Sequence, residues 1–348
     1  MNETIRIGFV GAGSVVRHRH LPNLKKLEGV ELVSVCNRTL ASSEDVAQQY
    51  DIGKIYEHWK DLVHSEEIDA VWIGAWPYLH HPVTLEALAA GKHVFCQARM
   101  AMHAAQAREM LEAAQVRGKV AMLCPPPMGM KGDRWMQKLI REDFLGEIYS
   151  IHLTAMNNGL LDPALPLSWR QREDLSGVNT LFVGIYAEVI HRWFGYARDV
   201  TAQAKTFIPR RPVATGQTAV TGETASVSRP DVVFCVGEML CGALLRAEWS
   251  ALAGPAPAAE LTVYGSRGAL RYLLDTDEIK ASSAGAAWER MEIPPEWIRE
   301  WTVEQDFVEA VRTGKDVHPD FYDGLKYMEF TEAVFQSALS GQRITLMR

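Results

Sequence analysis

Two short stretches of this sequence carry residue types that can do chemistry. In the first, Gly11 allows a tight turn after an apolar run, and Gly13 lets a pyrophosphate approach the backbone at a helix N-terminus. In the second, Gln97 and Arg99 follow another apolar run, and Arg99 is better suited to holding an anion than to moving a proton. The first stretch predicts a dinucleotide site, and the second predicts binding groups without an obvious acid or base.

The residues after the second apolar run bear on which dinucleotide is bound. Sites for NAD usually carry an aspartate or glutamate there, which accepts a hydrogen bond from the ribose 2′-hydroxyl. This sequence has Asn37, Arg38 and Thr39 instead, so no carboxylate repels a 2′-phosphate, and Arg38 with Thr39 can bind one through charge-assisted hydrogen bonds. We expect NADP in preference to NAD. An Arg38 that is solvated, or that stacks on the adenine, is compatible with either cofactor.

The elements that position these residues alternate in the pattern of a doubly wound parallel sheet. Short apolar runs alternate with longer helical patterns from Ile5 to about Leu123, and prolines at 125–127 then end a first domain predicted over residues 1–124. The predicted strands are Ile5–Val10, Glu31–Cys36, Ala70–Ile73, Val94–Cys96 and Val120–Leu123, and the predicted helices are Leu40–Tyr50, His81–Ala90 and Ala104–Arg117.

The rest of the chain predicts a second domain, residues 125–348, of the α/β class with a mostly antiparallel sheet. It opens with a helix at Trp135–Glu142 and an alternating strand at Ile148–Met156. Turn signals separate the later strand predictions, and two helices end the chain. Those strands are Val200–Phe207, Val232–Leu240, Gly242–Trp249, Leu261–Tyr264 and Leu270–Leu274, and the helices are Pro295–Thr313 and Phe321–Leu339.

Composition and charge favour a cytoplasmic protein that acts on a small molecule. The chain has 348 residues and a net charge of −7, so a nucleic-acid partner is not expected. No apolar run approaches the roughly 18 residues that a membrane span needs. The five cysteines form no C-x-x-C pair and predict reduced thiols. His18 and His20 stand two apart on a helix, which is the wrong spacing for a metal site, and none is expected.

Several short motifs follow one another along nearly the whole chain in the order of one known family. They are Gly11-Ala12-Gly13 with His20-Leu21-Pro22, the strand and loop at 71–80, Ala90-Gly91-Lys92-His93-Val94, Leu145-Gly146-Glu147-Ile148, residues 265–270 and residues 323–337. Together they resemble the glucose–fructose oxidoreductase / inositol dehydrogenase (Gfo/Idh/MocA) family. The resemblance implies a Rossmann domain and then an α/β domain whose large sheet covers the nicotinamide. It also implies a homo-oligomer, a dimer or tetramer, and last helices that pack back on the first domain.

The sequence departs from this family where typical members carry a catalytic lysine. Laying the family's C-E-K-P over residues 96–99 puts Gln97 at the glutamate, Ala98 at the lysine and Arg99 at the proline. Alanine carries no proton, so the lysine's role does not transfer to this chain.

A second departure lies in the family's D-x-x-x-H-x-x-D-like helix motif. Leu181, Ile185 and Glu188 stand at the aspartate, the histidine and the final acid. An alignment shifted by one residue puts Tyr186 at the histidine position. Both departures resemble a divergent branch of the family that lacks the E-K-P lysine, so the usual mechanism cannot be carried over.

Three residues in the regions of these departures are candidates for catalysis. Tyr186 is a candidate proton donor, with Arg99 lowering its pKa, or else a core tyrosine. Glu188 is a candidate carboxylate for substrate binding or general base work, or else the partner of Arg192 in an ion pair. Arg99 is a candidate ligand for a substrate anion, or else pairs with Glu188. Tyr186 and Glu188 point roughly 200° apart around a helix, whereas Glu188 and His191 can meet.

The remaining candidates are binding residues. His80 matches a family histidine near the cofactor, although it also suits a helix start, and Trp169 with Arg170 resembles a family W-R that lines the substrate pocket. The predicted cofactor-binding set is Gly11, Gly13, Ser14, Asn37, Arg38, Thr39, Ala75, His80 and Gln97, and the predicted substrate-binding set is Trp169, Arg170 and His191.

The function predicted from the sequence is hydride transfer between a nicotinamide cofactor and a sugar-like or hydroxyacid-like alcohol/carbonyl pair. Two alternatives stay open. One is a redox-neutral enzyme that keeps NAD(P) tightly bound and uses transient oxidation. The other is a cofactor-binding pseudoenzyme that regulates through a partner, which the missing lysine and histidine suggest.

Overall fold

A computed structural model describes residues 4–125, 130–215, 219–254, 259–283 and 285–346. The chain divides into two compact units, each described by itself below. The first comprises Met1–Pro126, Asp174–Gly177 and Thr302–Met328, and the second comprises Pro127–Glu173, Val178–Trp301 and Glu329–Arg348. The first unit therefore includes a segment from near the end of the chain. Pro126 and Pro127 of the triple proline lie outside the described residues.

The first unit is built on a six-stranded parallel sheet. Its order is β3-β2-β1-β4-β5-β6, so successive strands are added on one side of β1 up to β3 and on its other side from β4 onward. Ligands of open α/β sheets bind outside the carboxyl ends of the strands at such a point. The strands are β1 Ile5–Val10, β2 Val30–Cys36, β3 Lys54–Ile55, β4 Ala70–Ile73, β5 His93–Cys96 and β6 Ala121–Leu123.

The helices, numbered along the chain, follow from local capping and apolar spacing. The Thr39 side chain accepts a hydrogen bond from the Ser42 N–H and begins α2, and Gly118, at φ +58°, ends α5. They are α1 (residues 14–24, with a π-helical turn at Val16–His20), α2 Leu40–Tyr50, α3 Trp59–Val63, α4 Pro77–Ala89, α5 Ala104–Arg117, α6 Asp133–Arg141, α7 Glu173–Ser176, α8 Val183–Phe194, α9 Val303–Thr313 and α10 Phe321–Ser340.

Aromatic side chains form the centre of the first unit's core. Trp72 on β4 and Phe95 on β5 stack with their ring centroids 3.6 Å apart. Phe307 on α9 packs edge-on against both rings, at 5.6 and 5.7 Å. All three side chains are fully buried, so α9 is held on this sheet by apolar packing.

The second unit contains a nine-stranded, mostly antiparallel sheet with the order β16-β15-β14-β13-β7-β12-β11-β8-β17, and a separate pair β10-β9. Among the strands that the structure describes in this sheet, β7 and β12 are the one parallel pair. Trp193 on α8 packs against Tyr272 on β14, with ring centroids 5.7 Å apart. The strands are β7 Ile148–Met156, β8 Ala197–Lys205, β9 Arg210–Thr215, β10 Ala219–Ser226, β11 Val232–Met239, β12 Leu244–Ser250, β13 Ala259–Gly265, β14 Gly268–Leu273, β15 Glu278–Ser283, β16 Glu289–Met291 and β17 Ile344–Thr345.

The predicted fold class is confirmed, and one helix prediction is wrong. The segment Pro295–Thr313 is not a single helix: a 3₁₀ turn spans Pro295–Trp297, Ile298 is extended, and α9 begins only at Val303. The strands β3, β9, β10 and β15–β17 were not predicted, because they are short or strongly polar. Among the described residues, no helix combines the length and apolar character that crossing a membrane requires.

Candidate active site

The glycine turn after β1 packs against the loop after β4. Gly11 has φ +83°, and a Cβ there would lie 2.5 Å from the Ala75 nitrogen. A Cβ on Gly74 would collide with the Gly11 carbonyl and with the Val16 side chain. Val16 stands where the dinucleotide fingerprint has its third glycine, and the missing side chain of Gly74 leaves the space that Val16 fills. Gly11 and Gly74 are therefore required by the packing of the protein itself.

Gly13 differs from the other two glycines. A Cβ there would meet only the Gly74 carbonyl oxygen, at 3.8 Å, which is an ordinary contact. Gly13 and Ser14 are exposed at the start of α1, and no side chain caps the π-helical turn that follows. This opening fits a pyrophosphate, which binds backbone N–H groups at a helix N-terminus.

Of the residues that follow β2, Asn37 binds the glycine turn after β1 and Arg38 is exposed at the surface. The Asn37 side chain accepts from the Ala12 N–H at 2.6 Å and donates to the Ser42 carbonyl at 2.9 Å. Thr39 caps α2. Arg38 is exposed, with its guanidinium 5.0 Å from the centroid of the Trp76 ring. Arg38 is therefore the cation that this part of the chain exposes at the end of β2.

His80 links the loops that follow β4 and β5. Its ring is 1% exposed, with Nδ1 2.8 Å from the Arg99 carbonyl oxygen and Nε2 2.9 Å from the Ala75 carbonyl oxygen. Burial lowers the pKa of His80. Arg99 is itself 7% exposed. His80 therefore contacts backbone on both sides of its ring, an arrangement that positions loops.

Gln97, the first residue after β5, contacts a buried histidine on α1. Its side-chain nitrogen lies 2.5 Å from His20 Nε2, and His20 Nδ1 lies 2.6 Å from a Glu304 oxygen. The sequence placed His20 in a family motif and argued against it as a metal ligand, but it did not indicate Glu304 as its partner. The available signal was an acid among the apolar positions of α9, Val303, Phe307 and Val308.

In the second unit, α8 carries the candidate proton-transfer residues. Burial, with Asp275 nearby, raises the pKa of Tyr186 to about 12. The expectation of a lowered Tyr186 pKa is therefore wrong, because burial and the Asp275 carboxylate both disfavour the phenolate. Glu188 is 4% exposed, and its Oε1 lies 3.2 Å from an Arg192 guanidinium nitrogen, so the ion pair is formed. His191 packs edge-on against Tyr196, with ring centroids 5.3 Å apart.

Arg192 also belongs to a wider buried network around Asp133 on α6. Asp133 is 1% exposed and accepts a hydrogen bond from the Trp193 indole at 2.8 Å. Arg299 donates to the other Asp133 oxygen at 2.8 Å, and the Arg192 Nε lies 3.1 Å from the oxygen that accepts from Trp193. These charges neutralise one another, so the network binds α6 to α8 more clearly than it offers a free base.

The predicted W-R pair lies on a 3₁₀ turn in the second unit. Ser168 and Gln171 form a capping box around Trp169–Gln171. The exposed Arg170 stacks its guanidinium 4.4 Å from the centroid of the Trp169 ring. Trp169 and Arg170 therefore form a partly exposed aromatic–cation surface.

One group in the described part of the chain has ligand atoms close enough together for a metal ion. His318, Asp320 and Asp323 bring one such atom each within 4.8 Å of the others. Asp320 caps the start of α10 through the Tyr322 and Asp323 N–H groups, and Asp323 accepts from His318 at 2.7 Å. Helix capping accounts for this cluster.

The structure thus brings together the predicted residues of the first unit at one edge of its sheet: Gly11, Gly13, Ser14, Asn37, Arg38, Thr39, Ala75, His80, Gln97 and Arg99. Tyr186, Glu188, His191, Trp169 and Arg170 belong to the second unit. A six-stranded parallel sheet with an open glycine turn, at the point where the strand order changes direction, is typical of a dinucleotide-binding Rossmann fold.

Comparison with known families gives the same class. Residues 5–124 match the Gfo/Idh/MocA oxidoreductase model, described as an NAD-binding Rossmann fold, and residues 134–271 match the GFO/IDH/MocA C-terminal domain. The chain belongs to the Gfo/Idh/MocA family.

Curated relatives of this chain include several dehydrogenases. Levoglucosan dehydrogenase of Pseudarthrobacter phenanthrenivorans is 22% identical, over 95% of this chain and 94% of its own length. Inositol 2-dehydrogenase of Salmonella typhimurium is 34% identical over 33% of this chain and 35% of its own length. An uncharacterised oxidoreductase of Synechocystis sp. is 24% identical over 61% of this chain, and the chain spans only 56% of that relative.

Solved structures resemble the chain over almost its full length. Levoglucosan dehydrogenase in its apo form has a TM-score of 0.90 at 19% identity, covering 99% of both chains. Its complex with NADH and levoglucosan has a TM-score of 0.86 at 19% identity, covering 99% of this chain and 100% of that one. The aldose-aldose oxidoreductase of Caulobacter crescentus, complexed with glycerol, has a TM-score of 0.80 at 21% identity, covering 99% and 100%. These likenesses show the shared fold.

Proposed function

We propose that this protein is an NADP-preferring oxidoreductase that acts on the alcohol/carbonyl pair of a sugar-like or hydroxyacid-like substrate. The observation that carries the proposal is Gly13, whose missing side chain the protein's own packing does not require. Gly11 and Gly74 are fixed by close backbone packing, whereas the space beside Gly13 is open and leaves room for a ligand. Relatives named for levoglucosan and inositol support a sugar or polyol substrate.

Arg38 supports NADP as the cofactor. Its guanidinium is exposed beside Trp76 at the end of β2, where an NAD site usually has a carboxylate. A phosphate paired with arginine gains a charge-assisted hydrogen bond of about 1.5–3 kcal/mol. Arg38→Ala should therefore weaken NADPH binding about 10–100-fold and leave NADH binding within about 3-fold.

Fluorescence titration with both cofactors measures this difference. Lys26→Ala, which removes an exposed cation of the same unit, is the matched control and should change neither affinity. Equal binding of NADPH and NADH by the unchanged protein would contradict the NADP assignment.

We further propose that Tyr186 handles the proton that accompanies hydride transfer. The bound nicotinamide supplies the hydride donor or acceptor, and the protein must position the substrate and one proton. Because its pKa is raised to about 12, Tyr186 keeps its proton at neutral pH and can donate it to a carbonyl oxygen. Glu188, neutralised by Arg192, would hold α8 in place. Arg99 would bind an anionic or hydroxyl group of the substrate.

A panel of sugars, including levoglucosan, inositol and D-glucosides, assayed with NADP⁺ and NADPH, tests the activity. In any active assay, Tyr186→Phe should lower kcat about 100-fold or more, since general acid catalysis contributes about 10²–10⁴-fold. Tyr149→Phe, at an exposed tyrosine of β7, should leave kcat unchanged. Cofactor binding without turnover on any substrate would favour the regulatory alternative, and copurification of unreleased NAD(P) would favour the redox-neutral one.

We also propose that the chain forms a homo-oligomer through the open face of its nine-stranded sheet. Large apolar side chains are exposed on neighbouring strands of that face, namely Phe234, Val236, Leu244 and Tyr264. Charged residues such as Arg246 and Glu248 pair with some of them, and a sheet face that exposes large apolar side chains among polar ones suits an association surface. Light scattering should give the mass of a dimer or tetramer, and a monomer at micromolar concentration would contradict the proposal.

A further inference from the structure

Three side chains of the first unit form a polar chain that reaches from α9 to the edge of the sheet. His20 on α1 is completely buried, and its Nδ1 lies 2.6 Å from Oε1 of Glu304 on α9. On the other side of the ring, Nε2 lies 2.5 Å from the side-chain nitrogen of Gln97. The histidine thus joins a buried acid to a partly exposed amide.

The surroundings of Glu304 and His20 indicate which ring nitrogen of His20 carries a hydrogen. Glu304 is 2% exposed, and Asn23 donates to its second oxygen at 3.3 Å. The His20 ring packs against the aromatic rings of Trp72, at 4.9 Å, and Phe95, at 5.4 Å. A buried carboxylate is stable only when hydrogen-bond donors surround it, so the His20 nitrogen that faces Glu304 must carry a hydrogen.

The position of that hydrogen determines what the other nitrogen can do. A neutral His20 protonated at Nδ1 has a lone pair at Nε2 and accepts from an N–H of Gln97. The opposite amide orientation would place an oxygen there and require a doubly protonated ring. Burial lowers the pKa of His20 and opposes that charge, as does Arg19, whereas Glu304 favours it. Cys124, whose Sγ lies 4.0 Å from Nε2, has a pKa raised by burial and is a neutral thiol.

Gln97 is placed where such an orientation matters. Its backbone N–H donates to the Ile73 carbonyl at 3.0 Å, so it leaves β5 beside the end of β4. This is the edge of the sheet at which ligands of this architecture bind. With the nitrogen of the amide turned to His20, the oxygen remains to face a ligand.

We propose that Glu304 and His20 are positioning residues that fix the Gln97 side chain with its nitrogen inward. Gln97 then offers its oxygen, and not a donor, to a hydroxyl or amide N–H of the bound ligand. The inference rests on the proposed function only in taking that ligand to be the dinucleotide. A carboxylate at position 97 has no N–H to donate to the lone pair of the same neutral histidine.

The tautomer of His20 tests the proposal directly, without any assay of activity. In the full chain labelled with ¹⁵N-histidine, NMR at pH 7 should show His20 protonated at Nδ1 alone. Glu304→Gln should allow the Nε2-protonated tautomer, because a glutamine can donate to Nδ1 as well as accept from it. A wild-type His20 protonated at Nε2 or at both nitrogens, or a tautomer unaffected by Glu304→Gln, would overturn the proposal.

Gln97→Leu gives a second spectrum at a partly exposed position, should Glu304→Gln fail to fold. Since Glu304 sets the tautomer, His20 should keep its hydrogen on Nδ1 in Gln97→Leu. A switch to Nε2 would show that Gln97 sets the tautomer, and would refute the proposed direction of control.

Binding of NADPH then tests whether the orientation is used. Glu304→Gln and Gln97→Ala should each weaken NADPH binding about 3–10-fold, the value of one hydrogen bond. The double variant should bind no more weakly than Gln97→Ala alone, because both changes remove the same contact. Additive losses would assign Glu304 a merely structural role and overturn the proposal.

A surface pair of the same unit supplies the matched control. His64 and Glu86 meet at 2.6 Å but are exposed, so Glu86→Gln should leave NADPH binding unchanged. If the wild-type chain binds neither NADPH nor NADH, the proposed function fails, and the His20 spectra alone decide the orientation of Gln97.

Discussion

The two units treat buried charge differently where the sequence predicts chemistry. In the first unit, the acid Glu304 acts through His20 on Gln97, and the chain of hydrogen bonds ends at a partly exposed amide. In the second unit, the acid Glu188 is neutralised within one helical turn by Arg192. The first set of contacts ends at the edge of the sheet where ligands bind, whereas the second is an ion pair between two residues of one helix.

The difference shows that the role of a buried acid depends on the group it is bonded to. An acid that is bonded to a neutral ring keeps its charge and orients its neighbours, whereas an acid paired with arginine mainly holds elements together. By this criterion the first unit is built to receive a ligand, and the charged groups of α8 are built to keep that helix in place. The following predictions test this contrast, beginning with the largest effect.

Removing Asp133 should destabilise the second unit, where the buried charges have a structural role. Asp133→Ala leaves Arg192, Arg299 and the Trp193 indole without their shared acceptor, and breaking a buried ion pair costs about 3–5 kcal/mol. We expect the free energy of unfolding in urea to fall by that amount. Glu300→Ala, at an exposed acid of the same unit, should change it by less than about 0.5 kcal/mol. A loss below about 1 kcal/mol for Asp133→Ala would mean that the network is not structural.

Two glycines of the first unit should separate folding from binding. Gly11→Ala forces a Cβ to 2.5 Å from the Ala75 nitrogen at positive φ and should destabilise the unit by about 1–3 kcal/mol. Gly13→Ala meets no close atom and should leave stability within about 0.5 kcal/mol, yet weaken NADPH binding about tenfold. Thermal unfolding and fluorescence titration measure the two effects. Unchanged NADPH affinity in Gly13→Ala would remove the evidence for a pyrophosphate at this turn.

The first unit should also lose stability sooner in mild acid. Burial lowers the pKa of His20 and of His80, and lowers that of His93 to about 4. Because the folded-state pKa of each ring lies below its unfolded value, the unfolded state binds more protons once the pH falls below about 6.5. Stability therefore falls as the pH falls below about 6.5, by up to about 1.4 kcal/mol per pH unit for each ring.

Hydrogen exchange at pH 7 and pH 5 compares the two units. Peptides of β1, β4 and β5 should lose more protection than peptides of the nine-stranded sheet, where His152 has a lowered pKa. His318 opposes the trend, because Asp323 raises its pKa and their pair gains as His318 takes up a proton. Equal loss of protection in both units would show that the buried histidines do not control the acid response.

Much of the first unit was predictable because its signals are local. Regular apolar runs and capping residues placed Ile5–Val10, Leu40–Tyr50 and Ala104–Arg117 at the bounds that the structure has. The second unit was less predictable, since strands such as β9 and β10 are polar and pair only with each other. Their pairing depends on partners that the sequence pattern does not name.

The candidate site divides in the same way. Gly11, Gly13 and Arg38 were found from the sequence, because backbone freedom and charge are properties of the residue type. Tyr186 was predicted from the sequence as a candidate proton donor. The direction of its pKa shift was not predicted correctly, since desolvation depends on what surrounds the ring.

The sequence by itself determined the fold class and the glycine turn, because each depends on residue types at fixed spacing. The tertiary structure alone decided that Glu304, 284 residues from His20 along the chain, meets it inside the first unit. It also decided that Arg192 neutralises Glu188 and that Gly74 makes room for Val16. Such contacts depend on distance in space, and residue type and spacing along the chain do not fix that distance.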